Sequence, residues 1–218
     1  MKAELETERY ADQVERWPSE GRHILANFDG ASIIVYQAYR AEIARYALER
    51  RALGGSEFSY ARMSWIKPNF LWMMYRSGWG SKPNQQVTLA LRISRIFFDE
   101  LLAQAVLSSF DSTLHESRDA WQALFARASV CLQWDPDHNP KGAAQKRRVM
   151  QLGLRGQMLE RFGKLELLDV YDLSDFVSAQ CQFLAGDLAN LRIPIERPYW
   201  PADESVATNV GLDACTRG

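Results

Sequence analysis

Between Phe58 and Phe98 the chain has no aspartate or glutamate, although 27 of its 218 residues are acidic. The same window holds Arg62, Lys67, Arg76, Lys82, Arg92 and Arg95. Its first half, FSYARMSWIKPNFLWMMYRSGWG, adds seven aromatic rings, Trp65, Trp72 and Trp79 among them. Guanidinium forks match phosphate oxygens and indole faces stack on bases, so the combination suits an anionic, ring-bearing ligand, either a nucleotide or a nucleic acid strand. Arg62, Lys67 and Arg76 are the expected phosphate clamps, with Trp65 or Trp79 as a stacking platform. Aromatics at helical spacing are ordinarily core, so most of these rings are expected inside. Arg76 follows an apolar run and sits between Tyr75 and Ser77, where burying a charge without a partner is expensive.

A second acid-free stretch, His138 to Leu159, carries Lys141, Lys146, Arg147, Arg148 and Arg155. A solvated basic face is the commoner reading; convergence of both stretches would hold a pyrophosphate or an RNA backbone more firmly than either alone. WDPDHNPKG places Asp135, Asp137 and His138 together. It fails as a calcium loop, because Pro140 stands where glycine is required and Lys146 where the bidentate glutamate belongs. No histidine or cysteine pair has zinc-ligand spacing, so no metal is expected, and a rigid turn is the simplest reading. His138 remains a candidate general acid or base. There is no G-x-S-x-G elbow, and GWGSK lacks the spacing of a phosphate loop.

A net charge of -1 excludes a global attraction to polyanions, so any affinity for phosphate has to be local. Cys131, Cys181 and Cys215 form no C-x-x-C pair, which fits a reducing cytoplasm. The start, MKAELETERYADQVERW, lacks the layout of a secretory signal, and the most apolar window is broken by Lys67, Pro68 and Arg76, so no membrane span is expected.

These groups need elements to position them. SIIVYQAY reads as a strand feeding the helix RAEIARYALERRAL, and QQVTLALRISR alternates as a half-buried strand before the helix FFDELLAQAVLSSF. FLWMMYR reads as a buried segment opened by Pro68 and stopped at Gly78. ESRDAWQALFARA and GQMLERFG read as helices; VCLQW, RRVMQLGLRG and LELLDVYDL read as strands, with DPDHNPKG as a turn. SDFVSAQCQFLAGDL is a helix with Ser174 as its expected cap. The pattern predicts one α+β domain over residues 1–200, with a small, split, mainly antiparallel sheet flanked by helices. An exposed helical arm is expected over 1–18 and an irregular tail over 201–218.

VYQAYRAEIARYAL, RMSWIKPNFLWMMYRSGWG, LQWDPDHNP, RRVMQLGLRG and ERPYWP resemble the family called domain of unknown function 4291, over about residues 28–200. The order of strands and helices is also similar to that of small ADP-ribosyltransferases of the DNA-modifying toxin and poly(ADP-ribose) polymerase kind. In those enzymes a first-strand histidine and a middle tyrosine hold NAD, and a glutamate opening a late strand orients the ribose or the acceptor. The resemblance places Gln37 at the histidine position and Gln151 near the glutamate. Glutamine can hydrogen-bond ribose hydroxyls but cannot ionise, so neither residue can act as a base. Tyr36, Tyr39, Tyr60 and Tyr75 are the candidates for the stacking tyrosine. The implied function is nucleotide handling, with NAD as cofactor and ADP-ribose moved to a nucleic acid or small acceptor; the alternative is a non-catalytic module for RNA or single-stranded nucleic acid.

Overall fold

In the computed structural model, which describes residues 5–114 and 116–214, the chain starts with strand β1 (Thr7–Arg9), helix α1 (Tyr10–Val14), β2 (Gly21–Arg22), β3 (Ile24–Ala26), β4 (Ser32–Tyr39) and α2 (Ala41–Arg50). It continues with β5 (Ser64–Ile66), α3 (Phe70–Ser77), β6 (Val87–Ser94), α4 (Arg95–Ala103), β7 (Ala105–Leu107) and α5 (Arg118–Arg127). The last part holds β8 (Val130–His138), β9 (Ala144–Leu154), α6 (Gly156–Lys164), β10 (Asp169–Asp172), α7 (Ser174–Cys181), β11 (Arg192–Pro194), β12 (Arg197–Tyr199) and α8 (Glu204–Val210). His115 and Cys215, both noted in the sequence, lie outside the described residues.

The fold is α+β and its pairings are mainly antiparallel. β4 and β6, rich in β-branched residues and leucine, pair from Ser32↔Ser94 to Tyr39↔Val87, and β10 covers the other edge of β6. A second group runs β2-β9-β8-β7, with β5 added to β9. The two groups meet at one point: Tyr36 and Lys67 exchange backbone hydrogen bonds of 2.7 and 3.1 Å, joining β4 to the residue after β5. The sheet is therefore split there, and the split makes room for a recess.

Side chains alternate along each strand, so both faces of β4 are buried in different cores. Ile33 and Val35 pack with Leu89, Leu91, Phe97 and Phe98 and with Trp134, Met150 and Leu152 across the split. Ile34 and Tyr36 face Phe70, Leu71, Met74 and Val177. Each fully buried aliphatic or aromatic side chain contributes roughly 1.5–3 kcal/mol, which holds two short-stranded sheets in a fixed relation.

Several expectations are corrected. β8 runs through the DPDH residues, so the turn begins only at Asn139, and a β-bulge falls between Pro136 and His138. The helix after β6 ends at Ala103, and AVL turns back as β7 beside β8. Of the expected exposed helical arm, residues 1–4 lie outside the described residues and residues 5–18 are not one: β1 pairs with β11, α1 has five residues, and Gln13 is wholly buried. The tail contains α8, whose Val206 and Val210 enter the core. Leu173, not Ser174, is the N-cap of α7; the Ser174 backbone N–H donates to Asp172, and its hydroxyl has no partner among the described residues.

Candidate functional site

A recess of about 660 Å³ opens at the split between the sheets. β4 contributes Gln37 and Tyr39, the β5 segment Arg62, Ser64, Trp65 and Lys67, helix α3 Trp72, Met73 and Arg76, and the facing strands Gln133, Asp135 and Gln151. Local sequence explains the placement. On β8, Leu132 and Trp134 face the core while Gln133 and Asp135 alternate to the open side; on β9, Gln151 does the same between Met150 and Leu152. Gln133 lies directly across from Gln151. Gly153 lets the Trp65 indole lie on the strand: a Cβ there would sit 2.6 Å from Met63 Sδ and 3.0 Å from the Trp65 ring.

Helix α3 is fixed at both ends. The Asn69 side chain accepts a 2.7 Å hydrogen bond from the Trp72 N–H, and Gly78, at φ 59°, ends the helix in the left-handed conformation that glycine tolerates. Beneath the N-terminus, Glu196 accepts from the Phe70 N–H at 2.7 Å and from the Asn69 amide at 2.9 Å. Burial drives the Glu196 carboxyl well above the usual carboxylate range, and it raises the Tyr36 phenol beside it as well.

Lys67 sits at the floor of the recess and is only 4% exposed. Its ammonium makes no hydrogen bond or ion pair with the described residues. Desolvation first, then repulsion from Arg76, lowers its pKa from 10.5 to about 8, against an opposing pull from Asp135. Arg62 and Arg76 are exposed at the rim, and their guanidinium groups are likewise unpaired among the described residues. The recess thus places two rim cations, Arg62 and Arg76, beside a third, Lys67, whose side chain is nearly buried, a charge arrangement that favours an anion.

The neutral groups are held as a lattice. Gln37 donates from Nε2 to Ser64 Oγ at 2.7 Å and to the Trp65 carbonyl at 3.2 Å, and its Oε1 accepts from the Tyr39 hydroxyl at 2.8 Å. Both donor hydrogens are committed, so Gln37 ties β4 to β5 and offers a ligand one acceptor lone pair at most. Gln133 and Gln151 each donate to Asp135, at 2.8 and 2.9 Å, one to each carboxylate oxygen. The Gln151 carbonyl oxygen stays available.

Seven of the residues singled out from sequence line this recess: Gln37, Gln151, Tyr39, Arg62, Trp65, Lys67 and Arg76. Tyr36, Tyr60, Tyr75, Trp79 and His138 do not; the Tyr60 hydroxyl donates to the Leu53 carbonyl and the Trp79 indole to the Pro140 carbonyl. Tyr36 points to the opposite face of β4 and is fully buried. His138 is buried in a ring stack, 3.5 Å from Tyr75 and 5.4 Å from Trp72 between centroids, and burial lowers its pKa. Tyr75 is 42% exposed, with Lys82 at 6.0 Å from its ring. The reason given for Arg76 also changes: the charge is exposed, and the expensive buried cation is Lys67. The second basic stretch does not converge on the site. Arg147 pairs with Asp137, Arg148 donates to the Trp134 carbonyl, Arg155 to the Ala128 carbonyl, and Lys141 to the Gly186 carbonyl.

Asp135, Gln133 and Ser64 were not identified as site residues from sequence. The signal was present in the alternation of VCLQWD, which sends Gln133 and Asp135 to one face once the strand is extended through Asp135. Among the described residues, no group of three or more His, Cys, Asp or Glu could hold a metal. A larger recess, about 920 Å³, lies by Trp17, His23, Lys146 and Asp213. Its charges are mixed and Arg16 is already paired with Glu8, so it has no comparable electrostatic bias.

The family model of Domain of unknown function (DUF4291) matches residues 23–199, and the chain belongs to that family. The match spans every element that lines the recess. Among curated proteins, none matches the chain. No helix of the described residues is long and apolar enough to cross a membrane.

Proposed function

We propose that the recess binds the phosphate-bearing part of a nucleotide, NAD being the candidate, and that the protein is an ADP-ribosyltransferase-like enzyme of a reducing cytoplasm. The observation that carries this reading is the unpaired, buried ammonium of Lys67 beneath Arg62 and Arg76. A bound pyrophosphate would restore its partner and be held bidentately at the rim. The concavity and volume are those of a small-molecule site and favour a nucleotide over an extended strand.

Bound NAD would supply a glycosidic C–N bond with nicotinamide as leaving group. Around it, Trp65 offers an apolar ring face, and the Gln151 carbonyl oxygen accepts from a ribose hydroxyl. Asp135, oriented by two amides, supplies the negative charge that neither Gln37 nor Gln151 can carry. The acceptor enters from the open side near Arg62 and Arg76.

Calorimetry with NAD, together with assay of released nicotinamide, tests this. Arg76→Ala should weaken binding about tenfold, the loss of one charge-assisted contact. Asp135→Asn should keep binding and lose release. If NAD and ATP fail to bind at low salt while short RNA binds, the site is an open strand-binding surface and the nucleotide reading is wrong.

A further inference from the structure

Lys67 combines three properties seldom found on one lysine. The residue is 4% exposed, it lines a recess, and its amine has no hydrogen bond or ion pair with a described residue. Trp72 and Met73, 6% and 3% exposed, form an apolar wall of the same recess, and Trp65 is half-buried beside them. Arg62 and Arg76 at the rim can hold a phosphate without Lys67, which leaves the amine free for chemistry deeper in. Asp135, on the facing strand, is the carboxylate of the site and is kept in place by Gln133 and Gln151.

We propose that Lys67 is an amine nucleophile that forms an imine with a phosphorylated aldehyde held in this recess. The proposal rests on the phosphate-binding reading given above but not on NAD being the ligand. The Nζ lone pair attacks the aldehyde carbon; a C–N bond forms and the carbonyl π bond breaks. Both protons of the amine are lost from nitrogen and pass in turn, by way of Asp135, to the former carbonyl oxygen, which leaves as water, and C=N remains. One water is released and no oxidant or reductant is needed. Burial and the neighbouring Arg76 favour the neutral amine, so at pH 7 about a tenth of the protein carries it, against less than a thousandth for a solvated lysine.

The test uses the full chain with glyceraldehyde 3-phosphate in one arm, ADP-ribose in a second and unphosphorylated glyceraldehyde in a third, each with cyanoborohydride to reduce the imine. Intact mass and peptide mapping read the adduct, which adds the probe less one oxygen atom. A single adduct on Lys67 is expected, forming about tenfold faster with a phosphorylated probe than with glyceraldehyde. Its rate should rise about tenfold from pH 7 to 9 and level off, while solvated lysines keep climbing. Lys67→Arg should abolish it. Arg62→Gln, which keeps the amine and alters only an exposed rim residue, should erase the preference for phosphate. Adduct spread over Lys82, Lys141 and Lys146, or none on Lys67, overturns the proposal. NAD binding without any Lys67 adduct would overturn this step and leave the nucleotide reading intact; a phosphate-dependent adduct without NAD binding would do the reverse.

Discussion

At the residue scale, Lys67 is a stability cost maintained at a fixed place. Lowering a lysine from 10.5 to about 8 corresponds to about 3 kcal/mol of unfavourable burial of the charged form. The folded state holds fewer protons than the unfolded one between those values, so stability rises with pH across that window. Lys67→Met should therefore raise the melting temperature at pH 7, by an amount that shrinks as pH passes 8, and should weaken phosphate binding without abolishing it, since Arg62 and Arg76 remain. Thermal melts from pH 6 to 9 beside a phosphate titration check both; a destabilised variant would mean that the ammonium has a partner. In the wild type, anion affinity should fall above pH 8 as Lys67 loses its proton. The groups facing it are Arg76 from α3, Asp135 from β8 and Arg62 from the rim. Sequence showed that this lysine belonged to an acid-free aromatic segment. It could not show which cation of that segment is buried, because burial depends on β5 and α3 folding over β9.

At the scale of elements, what positions Lys67 and Arg76 is the N-terminus of α3, and that terminus stands on Glu196, 126 residues away in sequence from Phe70. Burial raises the Glu196 carboxyl, so the folded state keeps a proton that the unfolded chain gives up near pH 4.5. Its contribution to stability is complete at low pH and is lost as pH rises through the folded value. Glu196→Gln has no proton to lose, but its amide nitrogen cannot accept from Asn69, which costs about 1 kcal/mol. Melting curves of the two proteins should therefore cross: the wild type is more stable near pH 4.5 and the variant gains on it as pH rises. Parallel curves would show that Glu196 is not held protonated. Long periodic elements were legible: SIIVYQAY is β4 residue for residue, and VTLALRIS is β6. The three-residue strands β1, β3, β5, β7, β11 and β12 were not, since their pairing comes from distant partners and not from alternation within so short a run. The recess depended on one of these, β5, so its membership was readable residue by residue but its geometry was not.

At the scale of the whole molecule, the two ends of the chain close over the back of the site. β1 pairs with β11, Gln13 donates to the Ile193 and Pro194 carbonyls and accepts from the Glu196 N–H, and the Trp17 indole donates to the Glu196 carbonyl at 2.8 Å. The clamp continues into the second sheet through Arg147, which pairs with Asp137, donates to the Pro18 carbonyl and lies 5.2 Å from the Trp17 ring centre. The expected exposed arm is thus a strap whose anchor is a buried ion pair, 5% and 1% exposed at its side chains. Removing one partner of such a pair leaves an uncompensated buried charge and costs about 3–5 kcal/mol, whereas replacing both by apolar groups of similar volume is close to neutral. Arg147→Ala should accordingly lower stability by about that amount, and Arg147→Met with Asp137→Leu should recover most of it. Urea unfolding of the wild type, Arg147→Met, Asp137→Leu and the double variant measures the coupling. The strap also holds Glu196, and Glu196 holds α3, so Arg147→Ala should weaken phosphate binding at the recess although Arg147 does not line it. Unchanged affinity in a destabilised Arg147→Ala protein would show that the ends of the chain stabilise the fold without positioning the site.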